Sequence, residues 1–302
     1  MTNCTPEKNN RNVQAMVKEV LRLAVHLHIY YTEQWEEIKH NLKNLGNYPY
    51  DLYVTFINDN PSLTTDILAF QPHAKIWKVA NRGYDIGPFI DFLHHIDLDS
   101  YDLILKLHTK GQAKSLALLI NGLILDKKLW KDFLIQGLIG SPKLFNRIIN
   151  AFLEDKTLGM VGAKRLITDK EKTSEVSRAG VNQIMQELGF PAPKEIKFIA
   201  GTMFICREHL LSPIKERFTS DDFAPSDNRI KDGTLAHAVE RVFGTLTTAL
   251  GYEIKGFDRN YGLLLKAKKK AILRFFYQNK ITEENYRMVK IFKLPVYHKK
   301  LN

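Results

Sequence analysis

Hydrophobic and polar positions alternate between two periods along the first part of the chain. Short apolar runs rich in β-branched and aromatic residues predict strands, and the amphipathic segments between them predict helices. The strands are expected at residues 21–31, 51–57, 75–79 and 101–107, and the helices at 32–45, 62–70 and 88–96. This alternating order predicts an α/β fold, with a mostly parallel sheet flanked by helices on both faces.

The pattern continues less regularly toward the C-terminus. It predicts further helices at 116–125, 130–153 and 233–250, and further strands at 158–162, 197–206 and 252–257. Charged residues, Ser and Gly are frequent over 163–196, which we expect to be a partly ordered excursion. The chain is therefore divided into a polar N-terminal extension over 1–19, an α/β domain over 20–262 and a basic amphipathic tail over 263–302.

The composition is that of an ordinary globular protein. The chain has 302 residues, of which 44% are hydrophobic and 25% are charged, which excludes a disordered, collagen-like or coiled-coil protein. Two cysteines, Cys4 and Cys206, are too few for a disulfide framework or a cysteine-built zinc site. No apolar run approaches the length of about 18 residues needed to span a membrane, and the polar N-terminus does not resemble a signal peptide. These features predict a cytoplasmic location.

The net charge of +11 is concentrated in the tail. Residues 264–302 contain eleven Lys or Arg and two Glu, a net charge of +9, whereas the rest of the chain is nearly neutral. At helical spacing one side of this segment gathers Leu264, Leu265, Ala271, Ile272, Phe275 and Phe276. Such a helix either lies on an anionic membrane surface or packs on the domain with a solvated basic face. A nucleic-acid partner is not expected, because no recognisable binding module surrounds the basic run.

Ligands of open α/β sheets bind beyond the carboxyl ends of the strands, and polar residues follow the third strand there. The run NRGYDIGPFIDFL begins at Asn81 and leads into a helix start, which favours an anion. Gly83 permits a tight turn, Arg82 offers a fork that matches phosphate, and Asp85 can accept hydrogen bonds from a ribose or a base. Asn81, Arg82, Gly83 and Asp85 are therefore candidate nucleotide-binding residues. The alternative is an Asp–Arg pair that only stabilises the turn.

The fourth strand ends in His108-Thr109-Lys110. Because side chains alternate along a strand, His108 and Lys110 are expected to point to the same side. Lys110 suits the negative charge of a diphosphate, and His108 can donate a proton or a hydrogen bond to it. The alternative is that these residues only begin a solvated loop.

Two further clusters lie in the second half of the chain. Gly201 and Thr202 interrupt an apolar strand, where a glycine often marks close approach by a ligand or by backbone. Asp232 is a candidate N-cap of the helix that carries Glu240, and the two carboxylates are a candidate base and its support. The alternative is a capped amphipathic helix with a His237–Glu240 pair.

Taken together, these motifs resemble the rhamnan synthesis protein F family, bacterial proteins of cell-surface polysaccharide gene clusters that are generally regarded as glycosyltransferases. The resemblance extends from residue 25 to 257 and rests on VHLHIYY, DLYVT, NRGYDIGPF, YDLILKLHTK, AGTMF-x-x-R and DGTLAHAVER, in this order. The chain departs from the family pattern at Tyr84, where a second Arg is usual, and at Ile205, where Trp is frequent.

The resemblance implies a glycosyltransferase A-like fold, a nucleotide-diphospho-sugar donor and a glycan or polyprenyl-linked glycan acceptor. That fold normally has an Asp-x-Asp metal site after the fourth strand, where this chain has His108-Thr109-Lys110. The only Asp-x-Asp, at Asp97 and Asp99, precedes the strand. We therefore expect no metal ligands, with Lys110, His108 and Arg82 neutralising the leaving diphosphate instead. Asp232 is similar in placement to the base of inverting transferases.

The sequence thus predicts a cytoplasmic glycosyltransferase of the hexosyltransferase type, peripheral on the membrane, that transfers rhamnose or a similar sugar during polysaccharide or O-antigen assembly. Thr202 and Glu240 are secondary candidates for the donor site. One alternative is a non-catalytic partner that binds a nucleotide-sugar or a glycan within an assembly complex. Another is a phosphate-transferring or sugar-modifying enzyme on the same scaffold, which would release a nucleoside monophosphate. Fold alone does not choose among them.

Overall fold

The computed structural model describes residues 20–111, 118–168, 175–227, 232–281, 286–292 and 294–300. The strands are β1 (Leu23–Ile29), β2 (Tyr50–Phe56), β3 (Lys75–Lys78), β4 (Leu103–His108), β5 (Leu118–Ile120), β6 (Leu123–Leu125), β7 (Leu158–Val161), β8 (Ile167–Thr168), β9 (Phe198–Ile199), β10 (Phe204–Arg207), β11 (Glu253–Lys255), β12 (Tyr277–Ile281), β13 (Tyr286–Ile291) and β14 (Leu294–Lys300). The helices are α1 (Trp35–Leu42), α2 (Pro61–Phe70), α3 (Ile86–His95), α4 (Lys127–Ile139), α5 (Pro142–Glu154), α6 (Glu175–Glu187), α7 (Ser212–Arg217), α8 (Leu235–Ala249) and α9 (Tyr261–Phe276).

A seven-stranded sheet in the order β11-β7-β10-β4-β1-β2-β3 forms the centre of the described chain. Strand β10 is antiparallel to both of its neighbours, β4 and β7, and the other pairs in the sheet are parallel. The mostly parallel sheet predicted from the sequence is thus confirmed. Its consequence for function is that the carboxyl ends of six strands meet at one edge.

Two apolar layers cover the two faces of this sheet. Leu103, Leu105 and Leu107 of β4 point into the layer formed with α1, α2, α4 and α5. Ile104, on the opposite face, packs in the layer formed with α3, α6, α7 and α8. Both layers are buried because side chains alternate along each central strand and each face has its own helices.

The helix predicted over 116–125 is wrong where the structure describes it. Strands β5 and β6 form an antiparallel hairpin there, and residues 112–117 lie outside the described residues. Asn121 and Gly122 form the turn with φ of 46° and 77°, the conformation that Asn-Gly favours in two-residue hairpins. The helical region predicted over 130–153 is two helices, α4 and α5. Ser141 separates them, and its hydroxyl caps α5 by accepting from the Leu144 N–H.

The single strand predicted over 197–206 is also wrong. It is divided into β9 and β10 by a turn at Gly201 and Thr202, whose φ values are 100° and 51°. The partly ordered excursion predicted over 163–196 contains the regular helix α6, although residues 169–174 lie outside the described residues. The turn between β9 and β10 places Thr202 within hydrogen-bonding distance of Asp85 and Lys106.

The helix predicted at the start of the tail is confirmed as α9, which begins at Tyr261 and buries Ala267 in the core. After α9 the chain forms a three-stranded antiparallel sheet of β12, β13 and β14, which was not predicted from the sequence. The polar extension predicted over 1–19 lies outside the described residues. Among the helices that the structure describes, none combines the length and the apolar character needed to cross a membrane.

Candidate functional site

A cleft of about 180 Å³ opens at the carboxyl edge of the parallel strands. The residues that line it follow β1, β3 and β4, together with Lys127 and Trp130 of α4 and Ser226. They are His28, Tyr30, Tyr31, Asn81, Tyr84, Asp85, His108, Thr109, Lys110, Gly111, Lys127, Trp130 and Ser226. A larger hollow of about 770 Å³ lies at the opposite edge, near Arg22 and Tyr101, and holds none of the predicted site residues. The cleft is therefore the candidate site.

A buried ion pair lies at one wall of the cleft, where its carboxylate, Asp85, is a lining residue. The Lys106 ammonium donates to Asp85 Oδ2 at 2.6 Å and to the Thr202 carbonyl at 3.1 Å. The Thr202 hydroxyl donates to the same carboxylate oxygen at 2.5 Å. Lys106 and Thr202 are both buried, and the Asp85 side chain is 18% exposed. Two donors thus fix Oδ2, whereas Oδ1 makes no hydrogen bond among the described residues.

The charges around Asp85 keep its carboxyl ionised. Burial by itself raises the pKa of Asp85, but the nearby ammonium groups of Lys106 and Lys110 outweigh it and hold that pKa well below its ordinary value. Burial lowers the pKa of Lys106, and its contact with Asp85 acts in the opposite direction. A buried charge is tolerated when a partner of opposite sign is bonded to it, as here.

Lys106 was not predicted as a site residue, although the sequence carries a signal for it. Lys106 lies in the middle of an otherwise apolar strand, two residues before His108 and four before Lys110. Since side chains alternate along β4, all three residues share one face. A lysine inside a buried strand calls for a buried partner, and Asp85 is that partner.

His108 is the most distinctive group in the cleft. Its side chain is 2% exposed, and neither ring nitrogen has a hydrogen-bond partner among the described residues. Nδ1 lies 3.5 Å from Asp85 Oδ2. Burial lowers the pKa of His108 well below its ordinary value, so the ring is neutral near pH 7. A neutral imidazole offers one donor and one acceptor, and the described residues satisfy neither of them.

The loop after β4 holds Lys110 in a defined place. The Gln34 side chain accepts from the Lys110 N–H at 3.2 Å and donates to the Lys110 carbonyl at 2.6 Å. The Thr109 hydroxyl accepts from the backbone N–H groups of Tyr30 and Tyr31, each at 2.9 Å. The Lys110 ammonium lies 4.2 Å from the centre of the Trp130 ring, a cation–π distance. As predicted from strand alternation, Lys110 and His108 both line the cleft.

The turn after β3 separates the predicted nucleotide-binding residues into two groups. Asn81 and Asp85 line the cleft. Arg82 donates to the Phe223 carbonyl at 2.9 Å and is not among the lining residues. Gly83 has a φ of 63°, and a Cβ there would lie 2.8 Å from the Phe223 side chain. Arg82 and Gly83 therefore join the turn to the segment around Phe223.

Tyr84 completes this connection. Its φ is 58°, its N–H donates to the Ser226 hydroxyl at 2.8 Å, and its hydroxyl donates to the Asp227 carbonyl at 2.7 Å. Its ring lies 5.4 Å from that of His237 on α8. The departure from the family pattern at Tyr84 thus lies in the cleft wall, next to the start of α8.

Glu240 supports the turn that presents Thr202. Its Oε1 accepts from the Gly201 N–H at 2.8 Å, and it is not among the residues that line the cleft. Thr202 has a φ of 51°, which is unusual for a β-branched residue and is found where the surroundings enforce it. Glu240 therefore acts on the site through Thr202, which in turn bonds to Asp85.

Asp232 lies just before α8 and outside the lining of the cleft. It accepts from the Ser177 hydroxyl at 2.6 Å and pairs with Arg241 at 3.2 Å, and its side chain is 32% exposed. The N-cap of α8 is Thr234, not Asp232, with a capping box between Thr234 and His237. Ser177 and Arg241 support the Asp232 carboxylate, whereas Glu240 was expected in that role from the sequence.

The residues at this edge do not fit a carboxylate-bound metal. Among the described residues, no group of three or more His, Cys, Asp or Glu is arranged to hold an ion. Asp85 is the one carboxylate in the cleft lining of the described chain, and Lys106 and Thr202 already bind its Oδ2. Asp97 and Asp99 lie in the turn before β4, at the other edge of the sheet.

Two further histidines lie buried beneath the cleft. The Thr55 hydroxyl bridges them, at 3.0 Å from His28 Nδ1 and 3.1 Å from His26 Nε2. Burial lowers the pKa of His28 to about 4 and that of His26 well below its ordinary value. Both rings are therefore neutral near pH 7. His28 lines the cleft, whereas His26 stacks on Phe92 in the core.

These histidines predict a loss of stability in mild acid. Between pH 6.5 and about 4 the unfolded chain protonates His28, but the folded chain does not. The free energy of unfolding therefore falls as the pH falls through this window, and His28 alone accounts for a loss of about 3 kcal/mol when the window has been crossed. Urea unfolding at several pH values in that range measures the slope.

His28→Asn keeps a polar atom for Thr55 and removes the titrating ring, so this variant is expected to show a shallower slope. The matched control is His209→Asn, because the His209 side chain is 45% exposed. An unchanged slope in His28→Asn would contradict the assignment of the acid sensitivity to the buried ring.

Comparison with known proteins gives one family and several distant likenesses. The model of the family described as rhamnan synthesis protein F matches residues 1–252. An uncharacterized protein, WxcX, from Xanthomonas campestris pv. campestris strain B100 is 25% identical over 239 residues, which cover 78% of this chain and 33% of the relative. The chain thus spans about a third of the length of the curated relatives it matches.

Among solved structures, residues 1–349 of TarS from S. aureus match with a TM-score of 0.39 at 10% identity, over 75% of this chain and 56% of that one. The mannosyltransferase PcManGT from Pyrobaculum calidifontis, solved with GDP-Man and Mn²⁺, matches with a TM-score of 0.38 at 15% identity, over 85% of this chain and 65% of that one. Scores this low do not transfer a site or a reaction.

Proposed function

We propose that this chain, which belongs to the rhamnan synthesis protein F family, is a glycosyltransferase that binds a nucleotide-diphospho-sugar in the cleft. The observation that carries this proposal is the set of groups at the carboxyl edge of β4. Within the described chain, both ring nitrogens of buried His108 are unpartnered there, beside the cation of Lys110 and the fixed Asp85–Lys106 pair. Rhamnan is a polymer of rhamnose, so the family supports transfer of rhamnose or a similar hexose to a surface polysaccharide or a polyprenyl-linked glycan.

The diphosphate of the donor binds at Lys110 and His108. Lys110 supplies a positive charge from a loop that Gln34 and Thr109 hold in place, so little ordering is needed on binding. His108 donates one N–H to a phosphate oxygen. Because the cleft is partly closed to water, such charge-assisted bonds are stronger than bonds on an open surface.

The nucleoside binds against the turn after β3. Asp85 Oδ1 accepts a hydrogen bond from the ribose or the base, while Oδ2 remains held by Lys106 and Thr202. Asn81 offers a second polar contact, and Tyr30 and Tyr84 offer aromatic faces in the same lining. Arg82, Gly83, Thr202 and Glu240 lie behind the lining and hold these groups in position.

Asp232 is the base of the transfer step. Its carboxylate takes the proton of the acceptor hydroxyl as that oxygen attacks the anomeric carbon, and the bond from that carbon to the diphosphate oxygen breaks with its electron pair. Ser177 and Arg241 orient the carboxylate. The position of Asp232 in the fold supports this role. Asp232 lies just before α8, and the ring of His237 on that helix lies near the ring of Tyr84, which lines the cleft. The transfer takes place in the cytoplasm, where nucleotide-sugars are made, as a step of O-antigen or lipopolysaccharide assembly.

Nucleotide binding measured by calorimetry tests the proposal. UDP, dTDP, GDP, ADP and CMP are titrated into the protein, each with manganese and again with EDTA. We expect tight binding of one diphosphate that survives EDTA, because Lys110 and His108 replace a metal at the phosphates. Binding that EDTA abolishes would overturn the metal-free site, and failure of all nucleotides to bind would contradict the donor site. Binding without turnover on an authentic acceptor would favour the non-catalytic alternative.

Lys110→Met is expected to weaken binding of the preferred nucleoside diphosphate by about tenfold to a hundredfold, the loss of one charge-assisted contact. The corresponding nucleoside is expected to bind the variant and the parent protein equally, because Lys110 contacts only phosphate. Lys128→Met is the matched control, since Lys128 is 61% exposed and lies outside the cleft lining. An equal loss for nucleoside and diphosphate would place Lys110 elsewhere in the site.

A further inference from the structure

The surface of the tail is unusually apolar. Most of the large apolar side chains that are exposed in the described residues lie between residues 261 and 297, although the domain before them is much longer. They form one group on α9 and one group on β13, β14 and their turn. These groups include Leu265, Ile272, Leu273, Phe276, Phe292 and Leu294. Contiguous exposed apolar surface marks an interaction site.

Helix α9 packs on the domain with one side only. Ala267 is 1% exposed in the core, Leu263 packs against the same cluster, and Lys270 pairs with Asp126 next to α4. At 100° per residue, Leu265 and Ile272 lie on the side of the helix away from Ala267, and they are 70% and 57% exposed. The apolar side of the helical wheel is thus divided between the core and the outward face.

The turn between β13 and β14 extends this outward face. Phe292 has a φ of 49°, and its N–H donates to the Phe276 carbonyl at the end of α9. The two rings lie 5.2 Å apart. Leu294, 68% exposed, is the first residue of β14. The outward face of α9 and the β13–β14 turn therefore form one apolar surface, which we call the tail face.

Lysines lie beside the apolar side chains of α9 on the tail face. Lys266, Lys268 and Lys269 are exposed on the helix, and Lys299 and Lys300 are exposed at the end of β14 away from the β13–β14 turn. A surface where apolar groups and lysines alternate matches an anionic bilayer, because the apolar groups enter the acyl boundary while the ammonium groups reach lipid phosphates. The cores of protein–protein interfaces are instead depleted of lysine. This charge pattern favours lipid over a second copy of the chain.

We infer that the tail face binds the surface of a bilayer that contains anionic phospholipids, without crossing it. This inference concerns residues outside the cleft and goes beyond the proposed transfer reaction. Its consequence is that the domain is held at the membrane, where a lipid-linked acceptor would be concentrated. Packing of α9 on the domain agrees with one sequence interpretation of the tail, and the inferred membrane-binding face corresponds to the other, which stays a prediction.

Sedimentation of the full chain with lipid vesicles tests the inference. We expect binding to vesicles of phosphatidylcholine with phosphatidylglycerol, no binding to phosphatidylcholine alone, and weaker binding as salt is raised. The charge variant replaces Lys266, Lys268 and Lys269 by Gln, and its binding is expected to be about a hundredfold weaker. A matched variant replaces three exposed lysines of the domain, Lys43, Lys143 and Lys156, by Gln, and it is expected to bind like the parent protein.

A second variant removes the apolar contribution without changing charge. Leu265, Ile272 and Leu273 are replaced by Ser; all three are more than half exposed, so the fold is expected to survive, as circular dichroism will show. We expect this variant to lose vesicle binding while its nucleotide binding in calorimetry stays unchanged. Absence of binding to anionic vesicles, or equal binding by both variants and the parent, would overturn the inference. Self-association that the Ser variant abolishes, without vesicle binding, would instead assign the tail face to a second copy.

Discussion

Asp232→Asn is expected to slow sugar transfer by about 10²- to 10⁴-fold, the usual contribution of a general base. The amide oxygen can still accept from the Ser177 hydroxyl, whereas the proton-accepting charge and the ion pair with Arg241 are lost. We therefore expect the affinity for the nucleoside diphosphate to stay unchanged, since Asp232 lies outside the lining of the donor cleft. Initial rates with a saturating donor, together with calorimetry on the same preparation, separate the two effects.

The matched control is Asp221→Asn, an exposed carboxylate on the turn before Phe223 that is expected to transfer at the parent rate. Full activity of a folded Asp232→Asn variant would remove Asp232 from the mechanism. In that case His108, the buried cleft group whose ring nitrogens are unpartnered within the described chain, becomes the next proton acceptor to test.

Lys106→Met is expected to lower the free energy of unfolding by about 3–5 kcal/mol, because it leaves the Asp85 carboxylate without its buried partner. Methionine fills most of the volume of the lysine side chain, so lost packing contributes little. Urea unfolding at neutral pH measures the change. Donor affinity is expected to fall as well, since Lys106 holds Asp85 Oδ2 and Oδ1 of the same carboxylate contacts the nucleotide in the proposed donor site.

Lys131→Met is a sharp control for this prediction. Lys131 is as buried as Lys106, but the side chain of its partner Glu37 is 40% exposed and regains water when the lysine is lost. A much smaller destabilisation is therefore expected for Lys131→Met. The double variant Lys106→Met with Asp85→Asn removes both charges and is expected to be more stable than Lys106→Met alone. Equal losses for Lys106→Met and Lys131→Met would contradict the view that a buried, orphaned carboxylate causes the effect.

The sequence alone determined the central sheet, because the strands and helices that build it are specified by patterns of neighbouring residues. Strands such as β1 and β4 are mostly apolar runs, and crossovers through the amphipathic helices between them favour a parallel arrangement of a single handedness. The same local pattern placed His108 and Lys110 on one side of β4 and at the edge of the sheet, and both line the cleft. The hairpin of β5 and β6 was missed because its apolar residues resemble a helix segment, although Asn121-Gly122 carries the turn signal.

Only the tertiary structure decided which polar residues meet. Asp85, Lys106 and Thr202 come from three separate parts of the chain, and no spacing in the sequence connects them. Arg82 and Glu240 resembled ligand-binding residues, but they bond to the Phe223 carbonyl and the Gly201 N–H and act as supports. A charged side chain satisfies whichever partner the fold brings within reach, and that distance is not written in the local pattern.

In the tail, too, the sequence determined some features and the tertiary structure decided others. Its charge and helical period are properties of consecutive residues, so the sequence alone determined a basic, amphipathic helix. Which side of that helix is buried depends on the domain beneath it, because Ala267 packs into the core and Leu265 does not. The β13–β14 turn meets the end of α9 through a contact between Phe276 and Phe292. Periodicity determines that a helix has an apolar side, and packing against the rest of the chain determines how much of that side remains exposed.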